Sequence, residues 1–167
     1  MIKHNHFIKG ITLIEMLLAV TLMGLLLGVV IAIYSMGATA WKEGEIMIPL
    51  QRNASFAMEK MARGTNGADG IREARTVTLT SASEIQYTSG IDSVMRRFYL
   101  SGSQVMYDPD NSLVGDEIAI VDNVRTNPAG LTFSVSGDVV TISLTLEDRV
   151  RDRIVNIELT TNVTLRN

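Results

Sequence analysis

Three hydrophobic patterns follow one another along the chain. From Ile11 to Ile33 almost every residue is apolar, and between Met16 and Trp41 there is no charged side chain. As a helix this run is about 35 Å long, more than the ~30 Å hydrocarbon core of a bilayer. From Ile46 onward apolar residues recur at helical spacing through Leu50, Ala54, Met58 and Met61, with Glu45, Gln51, Arg52, Asn53, Glu59 and Lys60 between them. Steps of four and three draw a single stripe. They predict one helix that continues to about Arg63, kinked near Pro49, with its far half lying on a sheet through that stripe. Met47, Met58 and Met61 then fit as core filler.

After a glycine-rich loop at 64–70 the period changes to two. Thr76–Thr80, Glu84–Thr88, Met95–Leu100 and Gln104–Tyr107 read as strands, and Ile118–Val121 is a short apolar run. Leu131–Val135 and Val139–Leu146 flank Ser136-Gly137-Asp138, a hairpin signal. Ile154–Leu165 closes the chain with alternation through Ile157, Leu159, Thr161 and Val163. Short strands and tight turns imply antiparallel pairing with one face free to take a helix. The expected class is therefore α+β: a long N-terminal helix, transmembrane in its first half, packed on an antiparallel sheet. Residues 11–36 are expected to form the membrane helix. Residues 37–167 are expected to form an outer domain, helical to about 63 and then β.

Charge sets the direction of the anchor. Lys3 and Lys9 precede the run, whereas Lys42, Glu43 and Glu45 follow it. The positive-inside rule puts the N-terminus in the cytoplasm and the bulk of the chain outside. A cleaved secretory signal is the competing reading, since Ala38-Thr39-Ala40 satisfies a small-x-small pattern. It leaves two features unexplained. Glu15 is a lone carboxylate just inside the apolar run, where an acid costs roughly 2.5–3.5 kcal/mol at mid-bilayer and less near the headgroups. Gly10 stands at the boundary between basic leader and run. Gly24, Gly28 and Ala32 recur every four residues and could let helices approach closely.

The remaining composition mostly excludes. The chain has no cysteine, so disulfides, thiolate zinc sites, cysteine nucleophiles and an N-terminal lipoprotein cysteine are all ruled out. Both histidines, His4 and His6, precede Gly10, so a chain cut there keeps none, and the commonest general base and metal ligand are lost with them. No enzymatic activity and no cofactor are expected. A formal net charge of −3 argues against a broad nucleic-acid footprint. Arg96-Arg97 beside Phe98-Tyr99 is explained by strand alternation alone. Asp108, Asp110 and Asp116, with Glu117, make the best acidic cluster, but they lack the glycine and closing glutamate of an EF-hand loop and read as a polar turn. Arg149, Arg151 and Arg153 interleave with Glu147, Asp148 and Asp152 and read as a solvated connection before the last strand.

The junction Lys9-Gly10-Ile11-Thr12-Leu13-Ile14-Glu15, leading into the uncharged run, resembles the processing site of type IV pilins and pseudopilins. Ile11 departs from the phenylalanine that many members carry. Leu50-Gln51-Arg52-Asn53-Ala54, Met61-Ala62-Arg63, the Arg96–Tyr99 strand and Val163–Asn167 look like the minor pilins of the PilW group and pseudopilin J of type II secretion. The resemblance implies a pilin-like fold and a leader peptide, residues 1–10, removed by a prepilin peptidase that also methylates the new N-terminus at Ile11. It further implies inner-membrane insertion, assembly through Glu15, and other pilin or pseudopilin subunits as partners in a tip complex. A major filament subunit and a membrane-anchored periplasmic ligand-binding or enzymatic domain stay open beside it.

Overall fold

A computed structural model describes residues 12–64, 70–150 and 153–166. Its contacts divide the chain after Lys42. One helix, α1, runs over Leu13–Arg63 and so contributes to both units. It ends where the stripe predicts, with Lys60 and Arg63 in the last turn, where cations suit the negative end of the helix dipole.

In the unit beyond Lys42, the helix buries Leu50, Ala54, Ala57, Met58 and Met61. This is the expected stripe from Leu50 onward with Ala57 added, while Ile46, its expected first member, is only half-buried. Met47 is the exception: it is exposed and fills no core. After a 3-10 turn at Ile71–Glu73 come, among the described residues, eight strands. They are β1 (Ala74–Ser81), β2 (Glu84–Ser89), β3 (Met95–Ser101), β4 (Gln104–Asp108), β5 (Ile118–Val121), β6 (Leu131–Ser136), β7 (Val139–Val150) and β8 (Arg153–Thr164). All pairing between them is antiparallel. The α+β expectation of a long helix on antiparallel β-structure holds. The strands form two sheets, a five-stranded one in the order β1-β2-β3-β4-β5 and a three-stranded one in the order β6-β7-β8. The sheets are tied where the Phe133 N–H donates to the Ala82 carbonyl, at 2.8 Å.

Alternation decides what goes inside. Ile85 and Tyr87 of β2, Phe98 of β3, Val105 and Tyr107 of β4, Leu131 and Phe133 of β6, and Val140, Ile142, Leu144 and Leu146 of β7 all face one core together with the helix stripe. Each large apolar side chain buried this way contributes about 1.5–3 kcal/mol. Tyr87, Phe98 and Tyr107 stack in sequence across three strands, with ring centroids 5.7 and 4.8 Å apart. Turn glycines set the hairpins: Gly102 and Gly137 have φ of 59° and 58°, in the left-handed region that a side chain disfavours. Gly70 lies so close to the end of the helix that an added Cβ would sit 2.7 Å from the Ala62 carbonyl oxygen.

One boundary differs from the sequence reading. Glu147, Asp148 and Arg149 belong to β7 and pair in unbroken register with Asn156, Val155 and Ile154. The expected solvated connection is strand at these residues because backbone pairing carries the hairpin through polar positions. Arg151 and Asp152 lie outside the described residues.

Candidate functional site

The start of α1 carries the feature that the sequence singled out. Gly10 and Ile11 lie outside the described residues, which begin at Thr12. The Thr12 hydroxyl accepts the Glu15 N–H at 3.3 Å, while the Glu15 carboxylate Oε2 accepts both the Thr12 N–H and the Thr12 hydroxyl at 2.9 Å each. This is a reciprocal capping box, in which a threonine and a glutamate three residues on satisfy each other's free backbone donors. The motif is legible as Thr12-x-x-Glu15, but a reading that weighed only the charge of the glutamate passed over it. The box also places a carboxylate at the positive end of the helix dipole.

Beyond the cap the helix leaves its side chains uncovered. Leu13, Ile14, Met16, Leu17, Leu18 and the apolar residues after them are exposed through Ile33. This helix is long and apolar enough to cross a membrane. Three of its hydroxyls are satisfied internally: the Thr21 hydroxyl donates to the Leu17 and Leu18 carbonyls, Ser35 to Ala32, and Thr39 to Ser35. Hydroxyls bonded to their own backbone carry little cost in lipid. A Cβ added at Gly24 or Gly28 would meet nothing within 4 Å, and Ala32 is exposed, so this face is open.

No protein-family model, no curated protein and no solved structure matches the chain. The residues themselves therefore carry the functional argument.

In the outer unit the acidic candidates separate into different environments. Asp108, at the end of β4, is 1% exposed, and its Oδ2 accepts the Nε–H of Arg97 on β3 at 2.8 Å. It is a buried ion-pair partner in register with Arg97, and it also starts the turn, its Oδ1 accepting the Asp110 N–H at 3.2 Å. Asp110 holds a tight turn: its Oδ1 accepts the Ser112 N–H at 3.0 Å and hydroxyl at 2.6 Å, and these bonds keep its carboxyl below the usual range. Asp116 is half-buried, and its Oδ1 has no hydrogen-bond partner. Among the described residues no three His, Cys, Asp or Glu side chains are grouped to hold a metal ion.

Arg97 is the centre of this region. Glu84 and Glu117 lie 3.9 Å from its guanidinium, which also sits 4.7 Å over the Tyr99 ring. Burial pushes the Tyr99 phenol up, and Glu117 adds to the shift. Its neighbour Arg96 points to the other face, where it is 6% exposed and pairs with Asp92 at 2.6 Å. The alternation expected of the Arg96–Tyr99 strand is thus present, and it splits the basic pair between two faces.

At the end of the helix a groove of about 490 Å³ is lined by Ala62, Arg63, Arg72 and residues 161–166. The Arg166 N–H donates to the Arg72 carbonyl at 2.9 Å, which ties the end of the chain to the 3-10 turn.

Proposed function

We propose that this chain is a minor pilin or minor pseudopilin, cut after Gly10 by a prepilin peptidase, methylated at Ile11 and assembled with related subunits into a pilus or pseudopilus tip. Before assembly it is held in the bacterial inner membrane with the N-terminus in the cytoplasm. One observation carries the reading: a glutamate, Glu15, is retained in the first turn of a helix whose remaining surface is apolar and exposed over the membrane-length run. A neutral glutamine would close the capping box as well, so a plain anchor has no need of the charge, whereas a helix that must leave lipid for a bundle has a use for it. The basic residues before Gly10 and the uncharged run after it support the same processing site.

The peptidase must fit residue 10 beside its catalytic groups, and glycine presents no side chain to clash. Intact-mass analysis of the protein from membranes is the test. The expected mass is that of a chain beginning at methylated Ile11, with Gly10→Val accumulating uncut. A mature chain still containing residues 1–10, or one beginning after Ala40, overturns the assignment.

A further inference from the structure

Among the described residues the two sheets have four edge strands, and three of them are guarded. β1 carries register shifts near both of its ends. β5 is four residues long, and its pairing with β4 has a register shift. β6 is met by the turn between β1 and β2, where the Phe133 N–H donates to the Ala82 carbonyl. Bulges, short length and covering segments are the usual ways in which a fold stops an edge from recruiting another strand. β8 has none of them. It runs for twelve residues beside β7, in unbroken antiparallel register from the Val139–Thr164 pair to the Val150–Arg153 pair. Between Ile154 and Thr164 it has no proline, no lysine and one charged side chain, Glu158.

The register shows which backbone groups point away from β7. The Leu165 N–H donates to the Asp138 carbonyl at 2.8 Å, one step beyond the Thr164–Val139 pair. In an antiparallel ladder successive residues turn their peptide groups alternately toward and away from the partner strand. Odd-numbered residues of β8 therefore bond to β7, and Ile154, Asn156, Glu158, Thr160, Asn162 and Thr164 turn their N–H and C=O groups outward. Arg166 continues the outward series, and its N–H meets the Arg72 carbonyl at 2.9 Å. From Thr164 back to Ile154 no backbone partner lies on that side among the described residues. The outward six also have exposed side chains. On the other face Ile157 and Leu159 pack against the core but stay only half-buried. A strand added here meets a line of six peptide groups and, on its inner face, apolar neighbours with surface left to cover.

We propose that β8 takes an extended segment of a different, related subunit as its next strand. The segment alternates apolar and polar residues and sets its apolar side chains beside Ile157 and Leu159. Main-chain hydrogen bonds supply the attachment, and the apolar row supplies the selection. A second copy is a poor occupant in either direction. Arg153 reaches Glu43 at 2.9 Å at one end of β8, and Ala62 and Arg63 share a groove with residues 161–166 at the other. The strand and the helix from Glu43 onward thus run the same way. Two copies paired antiparallel through β8 would send their Glu43 ends, next in sequence to the uncharged run, in opposite directions, and both could not meet one membrane. A parallel pair in register would set Glu158 against Glu158, and like charges directly opposite are destabilising. The contact rests on the minor-subunit reading for its occupant and on β8 alone for its geometry.

Proline separates the outward edge from the ladder. At an outward position it removes an N–H that bonds to no other strand of the chain, which an edge tolerates, whereas at an inward position it breaks a bond to β7. The pair Asn156→Pro and Thr160→Pro should therefore leave the thermal unfolding midpoint of the full-length protein close to wild type, and Thr161→Pro should lower it. A photoreactive benzoylphenylalanine in place of Glu158 is then illuminated in membranes of the native host. The expected adduct joins the chain to a different protein, identified by peptide mass, whose own N-terminal apolar run begins with the same glycine and glutamate spacing. The proline pair should cut its yield about tenfold, the effect of losing two hydrogen bonds. Overturning results are no adduct, an adduct to a second copy or to a protein without such a start, a yield that the proline pair leaves unchanged, or a proline pair that unfolds as easily as Thr161→Pro. Intact mass measured on the same membranes separates the two ideas: chains that begin at Ile11 but give no adduct sink the strand contact alone, and uncut chains that give it sink the processing reading alone.

Discussion

Thr12→Val isolates the capping box at the start of the helix. Valine keeps the shape of threonine but loses the hydroxyl, and with it two of the three bonds of the box: Thr12 hydroxyl to Glu15 Oε2 at 2.9 Å and Glu15 N–H to the Thr12 oxygen at 3.3 Å. The Thr12 N–H to Oε2 bond remains possible. Loss of an N-cap hydroxyl costs about 1 kcal/mol, so the first turn should open about fivefold more often. Hydrogen exchange of the Glu15 and Met16 amides, which donate to the Thr12 hydroxyl and carbonyl, followed in bilayer discs, reads that opening directly. Glu15→Ala removes the carboxylate side of the same box and should raise exchange by a similar factor. The two changes break one reciprocal unit, so the double variant should exchange only slightly faster than either single one. Unchanged exchange in Thr12→Val, or effects that multiply fully in the double variant, would refute the box as the organiser of this helix end.

Asp108→Ala should lower the stability of the outer unit by about 1.5–3 kcal/mol, the usual worth of a buried hydrogen bond to a charged group, with Glu84 and Glu117 near Arg97 softening the loss; urea unfolding checks it, and a midpoint equal to wild type goes against the pair. Asp92 has its carboxyl lowered to about 2, first by the Ser89 hydroxyl, then by the Val94 N–H, with Arg96 adding to the shift. A depressed carboxyl stabilises the fold above its unfolded value near 3.9, and that contribution fades as pH falls toward 2. A carbon-13 titration of Asp92 should therefore show a midpoint near 2 that rises in Ser89→Ala, and a midpoint near 4 in the wild type would contradict the geometry.

Periodicity made most of the fold legible. The stripe at Leu50, Ala54, Met58 and Met61 located both the buried helix face and its end at Arg63, because a surface helix has one apolar side and must hide it. Strand positions followed from alternation and from Gly102 and Gly137 at the turns. The division into two sheets was not legible, since alternation states which side chains face inward and nothing about which edge meets which. The end of β7 was missed because Glu147, Asp148 and Arg149 give no apolar signal, while the pairing there is made by backbone. The ion pair of Asp108 was not legible because its partner Arg97 is eleven positions away in sequence and adjacent only through the β3–β4 register. Met47 looked like core by type, yet it lies one position past Ile46, off the stripe that runs through Leu50.

The polar groups of the first helical segment explain why Glu15 matters more than its neighbours. Thr21, Ser35 and Thr39 spend their hydroxyls on carbonyls of their own helix, so lipid and a protein bundle suit them equally. Glu15 is different. Thr12 supplies it with two donors, both on Oε2, whereas an ionised carboxylate can accept about four hydrogen bonds. Among the described residues it forms no ion pair, and an unpaired charge is costly in hydrocarbon and favourable beside a cation. Of the described residues before Trp41, Glu15 alone carries a charge, so it alone makes the two environments unequal in electrostatic energy. On the proposed processing, a neighbouring chain cut at Ile11 would bring a cationic terminal amine at the corresponding depth. On this reading the glutamate makes lipid the less favourable place for the helix once such neighbours are present, and Glu15→Leu should hold the subunit in the membrane at the expense of assembly.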